Sequence, residues 1–408
     1  MKLKADLRDV TLALSEALDL VGVDDVGHGK RVGLMAHACG KVMGLQGAEL
    51  AFLFDLGTLH DIGVSSTQVH RQIVSEFAWP GAGQHCETGW ELLNGYAPLV
   101  AMALPVRYHH TPWETLVRDG VELDIVRQTN LISLADRVDA LRTMYRDQGA
   151  MPMHADTIRR EIRSRARTQF DPELVDLFLE TSRTEAFWLM LEPRSIQSFV
   201  QDMHGQNVWV EASMGDLWQL ALIFSRIVDA KSPFTAEHSR GVAALAKLLA
   251  RRLGLDACSC AKLEIAGLLH DVGKLRVPDE ILDKPGGLDA RERGLIHAHS
   301  FETYQILRHI KGFEEISTWA AYHHEEPGGQ GYPFRLDAST LPVEARLLRM
   351  ADIFQAMVQD RPYRKGLGLQ QTLVFLKDLV RQGRMEPLFV DLAASCGEEA
   401  MTAAMAGA

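Results

Sequence analysis

Apolar residues recur at helical spacing along most of the chain. One stripe runs through residues 1–24, and another fills the run from Leu263 to Lys274, LEIAGLLHDVGK. Both patterns predict helices that bury one face in a core. Strand patterns are sparse, so we predict an all-α fold. The second run ends in His270 and Asp271, which places two polar side chains at the end of an apolar helix.

The pattern of helices and polar residues occurs twice in the same order. The run LAFLFDLGTLHDIG places His60 and Asp61 210 residues before His270 and Asp271. The other matching pairs lie 210 to 216 residues apart, and they are His28 with His238, His85 with His299, His110 with His324, and Asp136 with Asp352. Loops of slightly different length account for this variation in spacing. The chain is therefore predicted to be an internal duplication of one helical domain.

The segment between the two copies interrupts the pattern. Residues 194–214 include Gly205 and a β-branched patch over Val208–Val210. We predict an N-terminal domain over residues 1–193, a linker over residues 194–214 and a C-terminal domain over residues 215–408.

Composition narrows the class of protein. A chain of 408 residues with 47% hydrophobic residues suits two or three globular domains. Its formal charge of −11 argues against long nucleic acid as a partner. The five scattered cysteines suggest reduced thiols. We find neither a signal-peptide pattern nor an apolar run of about 18 residues, and we therefore expect a cytoplasmic protein without a membrane partner.

Each copy carries seven candidate metal ligands, of which five are histidines and two are aspartates. In the second copy they are His238, His270, Asp271, His299, His323, His324 and Asp352. In the first copy they are His28, His60, Asp61, His85, His109, His110 and Asp136. Imidazole with carboxylate suits iron, manganese, nickel, cobalt or zinc, and the lack of cysteine partners argues against a closed structural zinc site.

Seven ligands are too many for one ion and suit two. We predict that Asp271 bridges a first ion, held with His238, His270 and Asp352, and a second ion, held by His299, His323 and His324. Paired metals make hydroxide available near neutral pH and neutralise charge that grows on phosphoryl oxygens. The second copy is therefore predicted to hydrolyse a phosphoester without a protein nucleophile.

Further motifs in the second copy are HDVGK at His270–Lys274, HHE at His323–Glu325, GYP at Gly331–Pro333 and DRPYRK at Asp360–Lys365. With these motifs, residues 215–395 resemble the HD-GYP domain, the branch of the HD phosphohydrolase superfamily that hydrolyses cyclic dinucleotides. The first copy resembles the wider HD superfamily without the GYP element, so the fold implied is two tandem HD-type domains.

The resemblance also implies roles for individual residues. It implies that Asp271 and Lys274 take part in catalysis. Phosphate-holding roles are implied for Lys274, Arg361 and Arg364, and pocket-shaping roles for Tyr332 and Pro333.

Three positions depart from the pattern of the HD-GYP family. Gly328 stands where an aspartate is typical, and Gln355 replaces the usual aspartate three residues after Asp352. Phe234 stands where some members carry a glutamate that completes a third metal site. We therefore expect two metals in the C-terminal domain. Iron or manganese is the first expectation, with nickel and cobalt as alternatives.

The first copy keeps every candidate ligand but lacks the elements expected to hold a diester. Val64 stands at the position of Lys274, and neither GYP nor DRPYR follows His110. Asp24, four residues before His28, is either an added ligand or a surface carboxylate. This copy is a second hydrolase site, a metal-bound structural partner or a relic, and retention of all its ligands makes the relic the least favoured.

We interpret the chain as a metal-dependent phosphodiesterase that converts cyclic di-GMP or cyclic GMP-AMP to the linear dinucleotide. The first copy is a candidate for removing the 5′ phosphate of that product. The main alternative is a metal-bound sensor or scaffold that binds a cyclic dinucleotide without turnover, which Gly328 and Gln355 favour slightly. A nucleotidase for mononucleotides is a third hypothesis. The sequence identifies no protein partner and leaves a homodimer open.

Overall fold

The computed structural model describes residues 7–22, 27–75, 81, 83–145, 151–205, 212–231, 238–360 and 364–406. Helices dominate these residues, which contain isolated β-bridges but no strand. The prediction of an all-α fold is confirmed. In the part of the chain that the structure describes, no helix is both long and apolar enough to cross a membrane.

The chain divides into two compact units, one of residues 14–208 and the other of residues 1–13 with residues 209–408. The division falls inside the first helix. The helices up to residue 205 are α1 Leu7–Asp19, α2 His28–Val42, α3 Ala48–Leu59, α4 Thr67–Ser75, α5 Gly83–Asn94, α6 Val100–Tyr108, α7 Trp113–Arg118, α8 Leu123–Met144, α9 Ala155–Ser164, α10 Pro172–Thr181, α11 Glu185–Leu189 and α12 Pro193–Gly205. Short 3-10 turns cover Leu20–Gly22 and Met151–His154.

Helices also build the C-terminal unit. They are α13 Met214–Lys231, α14 His238–Leu253, α15 Ala257–Leu269, α16 Asp279–Leu282, α17 Ala290–Leu307, α18 Glu314–Ala321, α19 Val343–Val358, α20 Leu369–Arg381, α21 Pro387–Cys396 and α22 Glu398–Ala404. A 3-10 turn over Val272–Arg276 follows α15. In the predicted linker, α12 occupies the first part, and the patch Val208–Val210 lies outside the described residues.

Local sequence explains where α15 begins and which face it buries. The side chain of Asp256 accepts hydrogen bonds from the backbone N–H groups of Cys258 and Ser259, which caps the first turn. The apolar side chains Leu263, Ile265, Ala266, Leu268 and Leu269 are all buried. The helix therefore ends inside the core, and His270 and Asp271 follow directly.

Small residues let α15 pack closely against α14. A Cβ atom at Gly267 would lie 2.7 Å from the Cα atom of Ala243. The same crossing occurs between α3 and α2, where a Cβ atom at Gly57 would lie 2.5 Å from the Cα atom of Gly33. Each close crossing brings the end of one helix, with its His-Asp pair, toward the histidine at the start of the other. The duplication thus extends to the packing that positions the candidate ligands.

Replacing Gly267 by alanine should destabilise the C-terminal unit because the new methyl group meets the backbone of α14. Added methyl groups in packed cores cost about 1–3 kcal/mol, and we expect Gly267→Ala to lower the free energy of unfolding by about this amount. Chemical denaturation of the full chain measures the change.

Gly294→Ala is the matched control for this substitution. Gly294 lies in α17 of the same unit, and its Cβ atom would meet nothing within 4 Å. Alanine there should be neutral or should stabilise the helix by up to about 1 kcal/mol. Equal stability of the two variants would contradict the close crossing.

Candidate metal centre

Hydrogen bonds to helical carbonyl groups orient several of the candidate histidines. In the C-terminal unit, Nδ1 donates to the carbonyl oxygen three residues earlier, and the pairs are His270 to Gly267 at 2.7 Å, His299 to Ile296 at 2.5 Å and His323 to Ala320 at 2.6 Å. An imidazole whose Nδ1 donates carries its lone pair on Nε2. These bonds therefore leave Nε2 as the atom that can bind a metal.

Asp271 turns its two carboxylate oxygens toward different imidazoles. Its Oδ2 lies 3.8 Å from Nε2 of His238 and 3.2 Å from Nε2 of His270. Its Oδ1 lies 3.4 Å from Nε2 of His299 and 3.9 Å from Nε2 of His323. A carboxylate with one oxygen toward each group of imidazoles can bridge two cations.

Asp352 and His324 complete the two groups. Oδ1 of Asp352 lies 3.2 Å from Nε2 of His238, and the ring of His324 lies 5.1 Å from that of His299 between centroids. Potential ligand atoms lie within 4.8 Å of one another in each of two groups, which are His238, His270 and Asp352, and His299, His323 and His324. The structure thus brings together all seven candidate side chains of the second copy, and His270, Asp271 and His323 form a further such group across the two.

Buried polar atoms in this cluster fit divalent cations. Nε2 of His270 and Oδ1 of Asp271 are buried and make no hydrogen bond. Buried polar atoms in proteins almost always have a partner, and a cation between these side chains would supply one.

The charge states of Asp271 and His324 also suit metal ligands. Burial opposes ionisation of Asp271, but His270 and Lys274 hold the pKa of its carboxyl well below the usual range. Burial, together with the neighbouring His323 and His299, holds the pKa of His324 well below its usual value. Metals bind the anionic carboxylate and the neutral imidazole, so the surroundings of Asp271 and His324 favour the forms that a divalent metal needs.

The N-terminal unit repeats this geometry around Asp61. Its Oδ2 lies 3.8 Å from Nε2 of His28 and 3.4 Å from Nε2 of His60. Its Oδ1 lies 3.3 Å from Nε2 of His85 and 3.4 Å from Nε2 of His109. Asp61 thus faces two pairs of imidazoles, as Asp271 does.

Asp136 and His110 complete the N-terminal cluster. Oδ1 of Asp136 lies 3.4 Å from Nε2 of His28, and Oδ2 lies 3.9 Å from Nδ1 of His110. Buried atoms that make no hydrogen bond include Nε2 of His28, His60 and His110, both carboxylate oxygens of Asp61 and Oδ1 of Asp136. This cluster fits a divalent cation on the same grounds as the C-terminal one.

The two clusters differ in the group that holds the first histidine. Nδ1 of His28 donates to Oδ2 of Asp139 at 2.8 Å, and Arg31 and Arg142 also donate to Asp139. Nδ1 of His238 instead donates to the amide oxygen Oε1 of Gln355 at 2.5 Å. Asp139 and Gln355 occupy matching positions, so a charged acceptor supports one site and a neutral acceptor supports the other.

The residue next to the second aspartate of each cluster also differs in charge. Oδ2 of Asp136 accepts hydrogen bonds from Nη2 of Arg137 at 2.8 Å and from its Nε at 3.1 Å. Ile353 stands at the matching position after Asp352. Arg137 therefore fixes one oxygen of Asp136 and leaves Oδ1 directed at the histidines.

The predicted phosphate-holding residues have defined partners. Nζ of Lys274 donates to Oδ2 of Asp271 at 2.5 Å, so its ammonium group lies at the cluster. Nη2 of Arg364 donates to the carbonyl oxygens of Ala356 at 2.7 Å and Met357 at 3.3 Å, at the end of α19. Substrate binding by Arg364 stays a prediction.

Other predicted positions lie outside the residues that the structure describes. They are Arg361, Asp24 and Phe234.

Glu325 organises the loop that carries the GYP sequence. Its carboxylate accepts hydrogen bonds from the backbone N–H groups of Phe334 at 2.6 Å, Arg335 at 3.2 Å and Leu336 at 2.9 Å. A Cβ atom at Gly331 would lie 2.4 Å from the Cα atom of Glu325, so only glycine permits this approach. The loop presents Tyr332, whose ring stacks on His324 with centroids 4.7 Å apart. The third residue of the HHE motif thus supports the GYP loop.

Cys86 joins the N-terminal cluster, although the motif pattern did not indicate it. Its Sγ lies 3.7 Å from Nε2 of His85 and 3.6 Å from Nδ1 of His109. The matching residue of the second copy is Ser300, whose Oγ lies 3.3 Å from Nε2 of His299. Alignment of the two copies residue by residue is the signal that identifies this pair.

Comparisons with known proteins found a family model for part of the chain and relatives for most of it. A model of the HD domain family matches residues 223–387. Over 392 residues the chain is 35% identical to 3′3′-cGAMP-specific phosphodiesterase 1 of Vibrio cholerae, a match that covers 95% of this chain and 91% of that protein. Over 213 residues it is 32% identical to a cyclic di-GMP phosphodiesterase of Pseudomonas aeruginosa, with 52% of this chain and 51% of that protein covered.

A solved structure shares the fold. The crystal structure of a cyclic GMP-AMP-specific phosphodiesterase of Vibrio cholerae aligns with a TM-score of 0.65 at 24% sequence identity. The alignment covers 96% of this chain and 97% of that one.

The hydrogen bond from His238 to Gln355 should support metal retention in the C-terminal site. Gln355→Met removes the acceptor at similar length, and we expect loss of metal at a chelator concentration roughly 10- to 100-fold lower, the usual effect of losing such a partner. Metal content after dialysis against a chelator series measures this. The full chain should also carry His60→Ala and Asp61→Ala, so that the N-terminal cluster does not contribute.

Gln355→Glu is the matched control because it keeps the length and supplies a carboxylate acceptor. It should retain metal at least as well as glutamine. If glutamine, methionine and glutamate at position 355 retain metal equally, the acceptor has no such role.

Proposed function

The chain belongs to the HD-GYP family of cyclic dinucleotide phosphodiesterases, and we propose that its C-terminal domain hydrolyses 3′3′-cyclic GMP-AMP to the linear dinucleotide. The observation that carries this proposal is the paired His/Asp cluster around Asp271, beside Lys274 and the GYP loop. The relative whose match covers 95% of this chain is named a 3′3′-cGAMP-specific phosphodiesterase. Cyclic di-GMP is the second candidate substrate, since another relative is named for it.

We propose two divalent metals in the C-terminal site, with iron or manganese first and nickel or cobalt as alternatives. The arrangement of the two oxygens of Asp271 supports the number, because each oxygen faces its own group of imidazoles. Donors that are all imidazole or carboxylate support the choice of metals. Bound there, such a pair would supply an activated water and neutralise charge on the phosphoryl oxygens.

The protein's own groups would position the phosphodiester. The ammonium group of Lys274 lies beside the carboxylate of Asp271, and we expect it to hold a phosphate oxygen next to the cluster. Arg361 and Arg364 are expected to hold the other phosphate. Tyr332 and Pro333 would form the wall beside His324, where the ring of Tyr332 already stacks.

The full chain loaded with iron, manganese, nickel or cobalt should convert a cyclic dinucleotide to its linear product, with cyclic GMP-AMP turned over faster than cyclic di-GMP or cyclic di-AMP. His270→Ala and Asp271→Ala should abolish turnover because they remove central ligands. Lys274→Ala and Arg361→Ala should lower kcat/KM by on the order of 10²-fold, in line with other charged contacts to a transition state. Chromatography of the nucleotide products measures these rates.

Lys377→Ala, a change at an exposed lysine of α20, is the control and should leave the rate unchanged. Binding of cyclic dinucleotide by the metal-loaded chain without any linear product would favour the sensor or scaffold. Turnover that survives Asp271→Ala would contradict the proposed centre.

We propose further that the N-terminal domain removes the 5′ phosphate from the linear product. The support is a cluster of candidate metal ligands that lacks the elements expected to hold a diester. Val64 stands at the position of Lys274, and the GYP sequence is absent from this copy. A small pocket opens beside His28 and Asp61, and Val64 lies in its wall. A site of this kind suits the phosphorylated end of a linear dinucleotide better than it suits a cyclic dinucleotide.

Replacing His60 and Asp61 together by alanine separates this activity from a structural role. The cyclic substrate should disappear at the normal rate, while the 5′-phosphorylated linear dinucleotide accumulates and inorganic phosphate is not released. Phosphate release and product chromatography measure the two steps, and circular dichroism shows whether the variant is folded. Wild-type protein that never releases phosphate from the linear dinucleotide would exclude the monoesterase.

A further inference from the structure

An exposed histidine outside the predicted ligand set stacks on the tyrosine of the GYP loop. The rings of His297 and Tyr332 are nearly parallel, with an interplanar angle of 5° and centroids 3.8 Å apart. Tyr332 also stacks on His324, a candidate metal ligand, with centroids 4.7 Å apart. A continuous stack of three rings therefore leads from the metal cluster to an exposed imidazole.

The surrounding structure holds Tyr332 in this position. Glu325 binds three consecutive backbone N–H groups just after the GYP sequence. Phe334 then packs its ring against Tyr322, with centroids 5.1 Å apart, and against Tyr304, with centroids 5.8 Å apart. The stack is thus built on an anchored loop on one side and on helix α17 on the other.

The N-terminal copy has no counterpart of this stack in its sequence. Gly83 stands at the position that matches His297, and the GYP sequence is absent. His297 therefore accompanies the GYP element in the copy that is proposed to take the cyclic dinucleotide, whereas the metal ligands occur in both copies.

We propose that the outer face of His297, which Tyr332 supports from behind, is a stacking subsite for one purine base of the cyclic dinucleotide. Histidine and tyrosine rings are common stacking partners for unpaired bases. Two rings, His297 and Tyr332, separate this subsite from His324, so a base held there would keep the dinucleotide next to the metal cluster. This inference rests on the proposed function, and it assigns His297 to substrate specificity.

Two measurements on the full metal-loaded chain test the subsite. With cyclic GMP-AMP, His297→Ala should raise KM about tenfold with kcat nearly unchanged, since one stacking partner of the base is lost. His297→Phe should restore the wild-type KM because it keeps an aromatic ring. In stopped-flow mixing, a 2-aminopurine analogue of the cyclic dinucleotide should lose fluorescence on binding to wild-type protein and less so to His297→Ala.

Controls separate the subsite from the catalytic centre. Methyl p-nitrophenyl phosphate carries no base, so His297→Ala should hydrolyse it at the wild-type rate. His309→Ala, a change at another exposed histidine, should leave every rate unchanged.

The outcomes distinguish failure of the inference from failure of the proposed function. An unchanged KM and unchanged fluorescence loss in His297→Ala, with normal turnover, would overturn the subsite and leave the phosphodiesterase standing. Slower hydrolysis of the base-free diester would also overturn it, because His297 would then support the catalytic centre instead. Wild-type protein that neither binds nor turns over a cyclic dinucleotide would overturn the proposed function and the subsite together.

Discussion

Both sites depend on a hydrogen bond from imidazole Nδ1 to the carbonyl oxygen three residues earlier. It occurs at His60 and His109 in the N-terminal unit and at His270, His299 and His323 in the C-terminal unit. Four of these bonds use a carbonyl in the last turn of a helix, and the bond of His299 uses the carbonyl of Ile296 inside α17. Each bond leaves Nε2 directed toward the central aspartate. Backbone carbonyl groups of packed helices thus orient the imidazoles before any metal binds.

The sequence predicted the parts of this design that repetition and periodicity encode. Apolar stripes indicated the helices, and the duplicated order of histidines and aspartates identified all fourteen clustered candidate ligands. Contacts between distant side chains have no such periodic signal. The acceptor role of Gln355, the position of Cys86 and the stack of His297 on Tyr332 depend on three-dimensional packing. Asp139 was missed for the same reason, although its match to Gln355 across the two copies was available.

The two copies keep one ligand geometry and differ in the charges behind it. Asp139 and Arg137 are charged neighbours of the N-terminal cluster. Burial lowers the pKa of His28, but Asp136 and Asp139 outweigh this effect and raise the pKa to about 10. The C-terminal cluster has Gln355 and Ile353 at the matching positions, with Lys274 directly on the central aspartate. Changes in such neighbours after duplication leave the ligands alike and alter the charge around them.

The central claim is that Asp271 joins two metal ions, and anomalous diffraction from crystals of the metal-loaded protein tests it most directly. The account predicts two anomalous peaks about 3.5–4 Å apart, the usual separation in paired-metal hydrolases, with one carboxylate oxygen of Asp271 on each. The first peak should lie among His238, His270 and Asp352, and the second among His299, His323 and His324. A single peak, or two peaks that do not share Asp271, would contradict it.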